Sequence, residues 1–398
     1  MSGGSLILLC VLLAVFGALG AGWLIVRVAS WRLLLVVVCF LIAGAVIGVR
    51  RYAERPVPAA VECKMPSRVG ELGAICGVRR PEDLELVASQ NLVIASEERS
   101  GGRIMGLTLN RLDAEPLTLW PNAAGVNPAT EPNQVGDRAC TAPDSETFAP
   151  QGMSVLDRSA SGGPVRVAVV AHVGRETIQF FDLETGPQPH LVWRGCIDYP
   201  PHTTGNGVAF LDDGSLVATN FLPAGSGEVG DRYRLRGSLG FDTGDALAWS
   251  DRRGWTHVRG TAGAMPNGIV AARDGSEFYF ADAGNWRVAI VPKGGSTHAR
   301  AAVPVGGAPD NLTLTGAGTI LATVVTFSGD KPMLCSIGGR ECRLGWSIWE
   351  VDPRTRSATE VFAHDGTSIG SATTALEVGR YLLIGTMTDD RVGVYRRY

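Results

Sequence analysis

From Pro81 onward the chain runs in short apolar stretches separated by turn signals. Leu92–Ala95, Ile104–Leu109, Val165–His172, Ile178–Leu183, Leu216–Asn220, Phe278–Ala281, Val288–Val291, Ile320–Val325, Ile348–Val351 and Tyr381–Thr386 all read as strands. None carries the 3.6-residue apolar period of a long helix. The first fifty residues are different. Residues 6–26 are almost wholly apolar and, after a connector from Arg27 to Arg32, so are 33–49, each about the 17 to 25 residues that span a bilayer. The pattern predicts a transmembrane helical hairpin, with Gly17, Gly20 and Gly22 suited to close helix packing. The alternative is a signal peptide followed by a buried helix, but Met-Ser-Gly-Gly-Ser offers no basic n-region. Residues 51–80 are polar and proline-bearing and read as a stalk leading into a domain over 81–398.

Within that domain one unit repeats. Asn267-Gly268 is followed by an apolar run, an Arg273-Asp274-Gly275-Ser276 turn and Phe278–Asp282. Asn206-Gly207 is followed by Asp212–Ser215 and Leu216–Asn220, and Asp310-Asn311 by Gly316-Ala317-Gly318 and Thr319–Thr323. Taken alone, Asn-Gly is a hairpin turn. Here Asp213-Gly214 and Asp274-Gly275 already occupy the hairpin position, so the Asn marks where an inner strand begins. Heads about 45 to 60 residues apart suit four-stranded blades, and roughly 310 residues make six. The expected fold is an all-β six-bladed β-propeller, its repeat heads aimed at a common axis as ligands of one metal ion. Pro121–Pro150, rich in Asn, Pro and Asp, reads as a loop insertion.

Composition changes this picture little. The 51 Gly suit a turn-rich β protein, and a net charge of −3 over 398 residues gives no reason to expect a nucleic-acid partner. Cysteine is more informative. Beyond Cys10 and Cys39 in the apolar spans, the rest form an even set: Cys63, Cys76, Cys140, Cys196, Cys335 and Cys342. Cys63 with Cys76 and Cys335 with Cys342 are spaced to close small rings, and no Cys-x-x-Cys suggests zinc. Disulfides favour an oxidising compartment, periplasmic, luminal or extracellular, for the propeller. Arginines flank both sides of the spans, so charge alone does not orient them.

Several chemistries are excluded. There is no Gly-x-Ser-x-Gly elbow, no Walker loop and no His-Glu-x-x-His helix, which leaves oxygen ligands as the main signal. At this level the chain resembles the paraoxonases, and more widely the calcium-dependent propellers of the senescence-marker-protein and gluconolactonase group. The residues that carry the resemblance are Pro81–Glu85, Phe148–Ser154, Val169–His172 and the heads at Asn206, Asn267 and Asp310-Asn311, in that order. It covers Pro81 to the end and leaves the apolar hairpin outside.

The resemblance implies that Glu82, Asn206, Asn267, Asp310 and Asn311 hold a catalytic calcium in the central tunnel. Two carboxylates and three amide carbonyls are hard donors that suit Ca²⁺. It also implies a second calcium at Asp83 and the Met153 carbonyl, but an Asp ligand of that ion is replaced by Gly207. The first histidine of the family's dyad is replaced by Gln151, in the substrate pocket, and only His172 matches the second. With Gln151 unable to act as a base, Asp310, another site carboxylate or His172 through water remains for that role, and His202 is a local alternative without family support. The expected function is a membrane-anchored, calcium-dependent hydrolase of lactones or aryl esters. The alternatives are a non-catalytic ligand- or protein-binding propeller with a structural calcium, and a gluconolactonase-like sugar lactonase. Neither the substrate nor the oligomeric state is legible.

Overall fold

In the computed structural model the described residues are 37–40, 44, 61–122, 135–172, 174–186, 188–223, 228–296, 301–326 and 343–398. They hold six sheets, five of four strands and one of five, antiparallel throughout except where Val135–Gly136 pairs parallel with His190–Asp198. The innermost strands are Pro81–Val87, Pro150–Asp157, Thr203–Phe210, Pro266–Ala271, Ala308–Leu314 and Ala372–Val378. Each touches the innermost strand of the next sheet, and the last touches the first, so the six blades form a ring.

The near-continuous apolar runs follow from this arrangement. A blade is covered on both faces, so successive residues of one strand serve two different cores. Leu92 and Ile94 enter the core between blades one and two, whereas Val93 and Ala95 enter the core between blades six and one. Phe278 and Phe280 pack toward blade three, Tyr279 and Ala281 toward blade five. Six hydrophobic clusters result, one at each junction, with no single centre.

All ten expected strands are present. The turns fall where the repeats put them: Gly214 and Gly275 adopt φ of 87° and 65°, and Asp213 and Asp274 accept the backbone N–H of Ser215 and Ser276 at 2.9 and 3.0 Å. Two features depart from the expected organisation. Leu72–Cys76, inside the range read as stalk, is the outermost strand of blade six and pairs with Arg391–Arg396, from Leu72↔Tyr395 to Cys76↔Arg391. A helix, Glu228–Ser238, lies between Leu216–Pro223 and Asp245–Ser250. Its sequence is mostly polar and glycine-bearing, so it has no apolar stripe to announce it. It packs through Gly237, where a Cβ would sit 2.4 Å from Cγ of Met265.

Ala60–Thr326 with Arg343–Tyr398 form the propeller unit. The expected spans over 6–26 and 33–49 lie almost entirely outside the described residues. Among those described, no helix is long and apolar enough to cross a membrane. Two disulfides are formed, Cys63–Cys76 and Cys140–Cys196, with Cα separations of 5.5 and 5.6 Å, and Cys39 is free and exposed. Cys335 and Cys342 lie outside the described residues. Cys140–Cys196 spans 56 positions and Cys63–Cys76 spans 13. Replacing the first pair by alanine is expected to cost about 4 kcal/mol and the second about 3 kcal/mol, read from denaturation midpoints.

Candidate functional site

Every innermost strand breaks register at the same place. The residues skipped are Glu82-Asp83, Gln151-Gly152, Asn206-Gly207, Asn267-Gly268, Asp310-Asn311 and Thr373-Thr374. A bulge re-aims the side chains it carries. Of the five residues read as ligands of the first ion, Glu82, Asn206, Asn267 and Asp310 therefore take the first place of the bulge and Asn311 the second, joined by Gln151 and by Thr373-Thr374. The threonine pair was missed in the sequence because it carries neither amide, acid nor glycine.

The glycines explain how the strands come so close. A Cβ at Gly152 would meet the Asn206 carbonyl oxygen at 2.4 Å, and one at Gly268 would meet Cα of Asn311 at 2.5 Å and the Asp310 carbonyl oxygen at 2.9 Å. At Gly207 it would lie 2.9 Å from the Ile269 nitrogen. The place where the family carries a further acid is thus taken up by the neighbouring strand. Asp83, read with Met153 for a second ion, accepts the Met153 N–H at 2.7 Å on Oδ2 and the Leu84 N–H at 2.9 Å on Oδ1. Met153 meets Asp83 through its amide nitrogen.

Around the axis the polar groups are buried and crowded. Nδ2 of Asn311 donates to Oε1 of Glu82 at 2.9 Å, and the Thr373 hydroxyl donates to the Glu82 carbonyl at 2.7 Å. Oε2 of Glu82, Oδ1 of Asn206 and Oδ1 of Asn267 are buried without a hydrogen-bond partner. Burial, then the charges of Asp83, Asp310 and Glu98, push the Glu82 carboxyl well above its usual range. Asp310 is pushed up to about 8 by burial and by the Glu98 charge, against the neighbouring Asn267 amide. Burial raises Asp83 to about 6, opposed by its two backbone N–H donors. Buried carboxylates that repel one another, beside orphaned amide oxygens, make an environment that a cation relieves. Among the described residues, no three His, Cys, Asp or Glu side chains group as a metal centre. The donor set is of another kind, Glu82 and Asp310 with the amides of Asn206, Asn267 and Asn311, and its hard oxygens fit calcium.

His172 stands beside this cluster at the end of Val165–His172. Its Nε2 lies 2.7 Å from Oε1 of Gln151 and its Nδ1 2.8 Å from Oε2 of Glu176. Burial opposes a charge on the ring, but the hydrogen bond and charge of Glu176, with Glu98 beyond, outweigh it and raise the pKa. Both ring nitrogens are therefore engaged, one by Glu176 and one by Gln151. Glu176 also accepts the Gly205 N–H at 3.1 Å. Next to His172 opens a cavity of about 800 Å³, lined by Arg175, Tyr199, His202, Thr204 and Arg234 among others. His202, the local alternative, is exposed there in a left-handed conformation, φ 64°.

No protein-family model matches the chain, and no curated protein resembles it in sequence. Solved structures do. A protein of unknown function from Bacteroides thetaiotaomicron matches with a TM-score of 0.50 at 11% identity, over 85% of this chain and 74% of that one. A protein provisionally described as a gluconolactonase matches at 0.49 and 13% identity, over 86% and 98%. The PQQ-bound aldose sugar dehydrogenase of Streptomyces coelicolor matches at 0.47 and 12%, over 83% and 99%. At such identities the likeness speaks to the fold alone.

Proposed function

We propose that this propeller is a calcium-dependent hydrolase of lactones or carboxylic esters, of the general kind found in the paraoxonase and gluconolactonase group. The observation that carries the reading is the set of unpartnered buried oxygens on Glu82, Asn206 and Asn267, placed by one repeated bulge beside Asp310 and Asn311. Calcium held there would supply an electrophile for a substrate carbonyl. The chain's own residues do the rest. Glu82 and Asp310 balance charge, and Asn311 fixes Glu82 through its Nδ2 donor. His172, on the cavity wall, is clamped between Glu176 and Gln151 with both ring nitrogens engaged and is poorly suited to act as a base. The cavity beside it has room for an acyl or alcohol portion. The two disulfides support an oxidising compartment for the propeller.

The test is a panel of aliphatic lactones, sugar lactones and aryl esters, assayed in calcium and in EGTA. Turnover that disappears on chelation and returns with calcium is the expected result, and preference within the panel separates the sugar-lactonase form. The clamped His172 and the uncharged Gln151 favour a second reading, a binding propeller with a structural ion. Its result would be a higher melting temperature in calcium with every substrate left intact.

A further inference from the structure

At the end of the innermost strands away from the bulges, all six blades line a second cavity, of about 650 Å³. Its wall repeats around the axis. Glu85, Ser154, Ala209, Val270, Thr313 and Leu376 all line it, each three positions beyond the first residue of its strand's bulge. At about 3.3 Å per residue this sets them about 10 Å along the strands from the candidate cation site. Three of the six are apolar, and the two hydroxyls join one blade to the next. Oγ of Ser154 accepts the Phe210 N–H at 3.0 Å, and the Thr313 hydroxyl donates to the Ala375 carbonyl at 2.6 Å.

Glu85 is the exception. It is half-buried, and among the described residues its carboxylate joins no hydrogen bond and no ion pair. The other charges on the wall have partners. Arg273 donates to the Thr315 carbonyl at 2.9 Å, and Glu377 takes Arg397 at 2.7 Å and the Gly316 N–H at 3.3 Å. Val155, Val208, Phe210, Ile269 and Leu314 complete an apolar lining. A carboxylate in such a wall is costly unless a cation reaches it. Calcium and magnesium gather several oxygens, and here one acid stands among hydrocarbon.

We infer that this cavity binds a small organic cation, a primary ammonium carrying an alkyl or aryl body. The ammonium donates charge-assisted hydrogen bonds to Glu85, and the body is removed from water against Phe210, Ile269 and Leu314. The site is separate from the bulges and does not depend on the hydrolase reading.

The test is calorimetric titration of n-hexylammonium, hexanol and hexanoate into the full chain, in calcium and in EGTA, with Glu85→Gln beside wild type. Expected are one hexylammonium per chain, bound equally well in both buffers, and hexanol and hexanoate weaker by at least about tenfold. Glu85→Gln should lose about 10- to 100-fold in hexylammonium affinity and keep the wild-type shift of melting temperature in calcium. If that variant does not fold, Gly316→Phe serves, since Gly316 lines the cavity and a Cβ there meets nothing within 4 Å. Weakened hexylammonium binding in Gly316→Phe supports the site, and wild-type binding overturns it. Hexanol bound as tightly as hexylammonium would leave only an apolar cavity and overturn the inference. So would no binding of hexylammonium, an unchanged affinity in Glu85→Gln, or displacement by calcium, which would put the amine among the acids of the bulges.

Discussion

In EGTA the protein is expected to lose stability as pH rises from about 4 to about 8, and Asp310→Asn is expected to remove much of that loss. Asp310 titrates at about 8 when folded and near 3.9 when unfolded. Between those values the unfolded chain gives up the proton and the folded one keeps it, so rising pH favours unfolding. The effect is on the order of 5 kcal/mol, and Glu82, displaced in the same direction, adds to it. Saturating calcium should flatten the slope by neutralising the same acids. Asp310→Asn should therefore melt higher than wild type in EGTA at pH 8, respond little to calcium, and lose catalysis by at least about 10²-fold. Thermal melts at pH 5 and 8, with and without calcium, give the answer. A wild-type slope that calcium leaves unchanged would count against the cation site.

Gly268→Ala should be nearly as damaging, although it deletes no functional group. The added methyl would sit 2.5 Å from Cα of Asn311 and 2.9 Å from the Asp310 carbonyl oxygen, both backbone atoms that cannot swing aside. Blades four and five must separate, which costs about 1 to 3 kcal/mol and displaces both residues of the Asp310-Asn311 bulge. Calcium affinity, measured by calorimetry, should fall along with the melting temperature. Gly294→Ala is a suitable control for the general cost of losing a glycine, because nothing lies within 4 Å of a Cβ there and its backbone is not in the left-handed region. A Gly268→Ala protein with wild-type calcium affinity would show that the close approach of these strands is not needed.

Much of this was legible in the sequence because the repeat writes itself in hydrogen-bonding chemistry. Asp213-Gly214 and Asp274-Gly275 had to be hairpins, which left the preceding Asn-Gly pairs for the strand starts, and the register breaks fall on those pairs. What was not legible depends on partners distant in sequence. Leu72–Cys76 is a strand only because Arg391–Arg396 offers it an edge. Glu228–Ser238 is a helix with no apolar stripe, held by the space beside Met265. Nor could the sequence show that Arg79 and Arg103 converge on Glu97, 18 and 6 positions away.

The pairing of Leu72–Cys76 with Arg391–Arg396 also governs how the molecule is made. An emerging polypeptide can assemble blades one to five in turn, but Leu72–Cys76, the first of the described strands, has no partner until Arg391–Arg396 leaves the ribosome. Ring closure is then the slow, long-range step of folding. Until it happens, the apolar faces of blades six and one stay open to water, and nascent or truncated chains lacking Arg391–Arg396 are the forms most prone to aggregate.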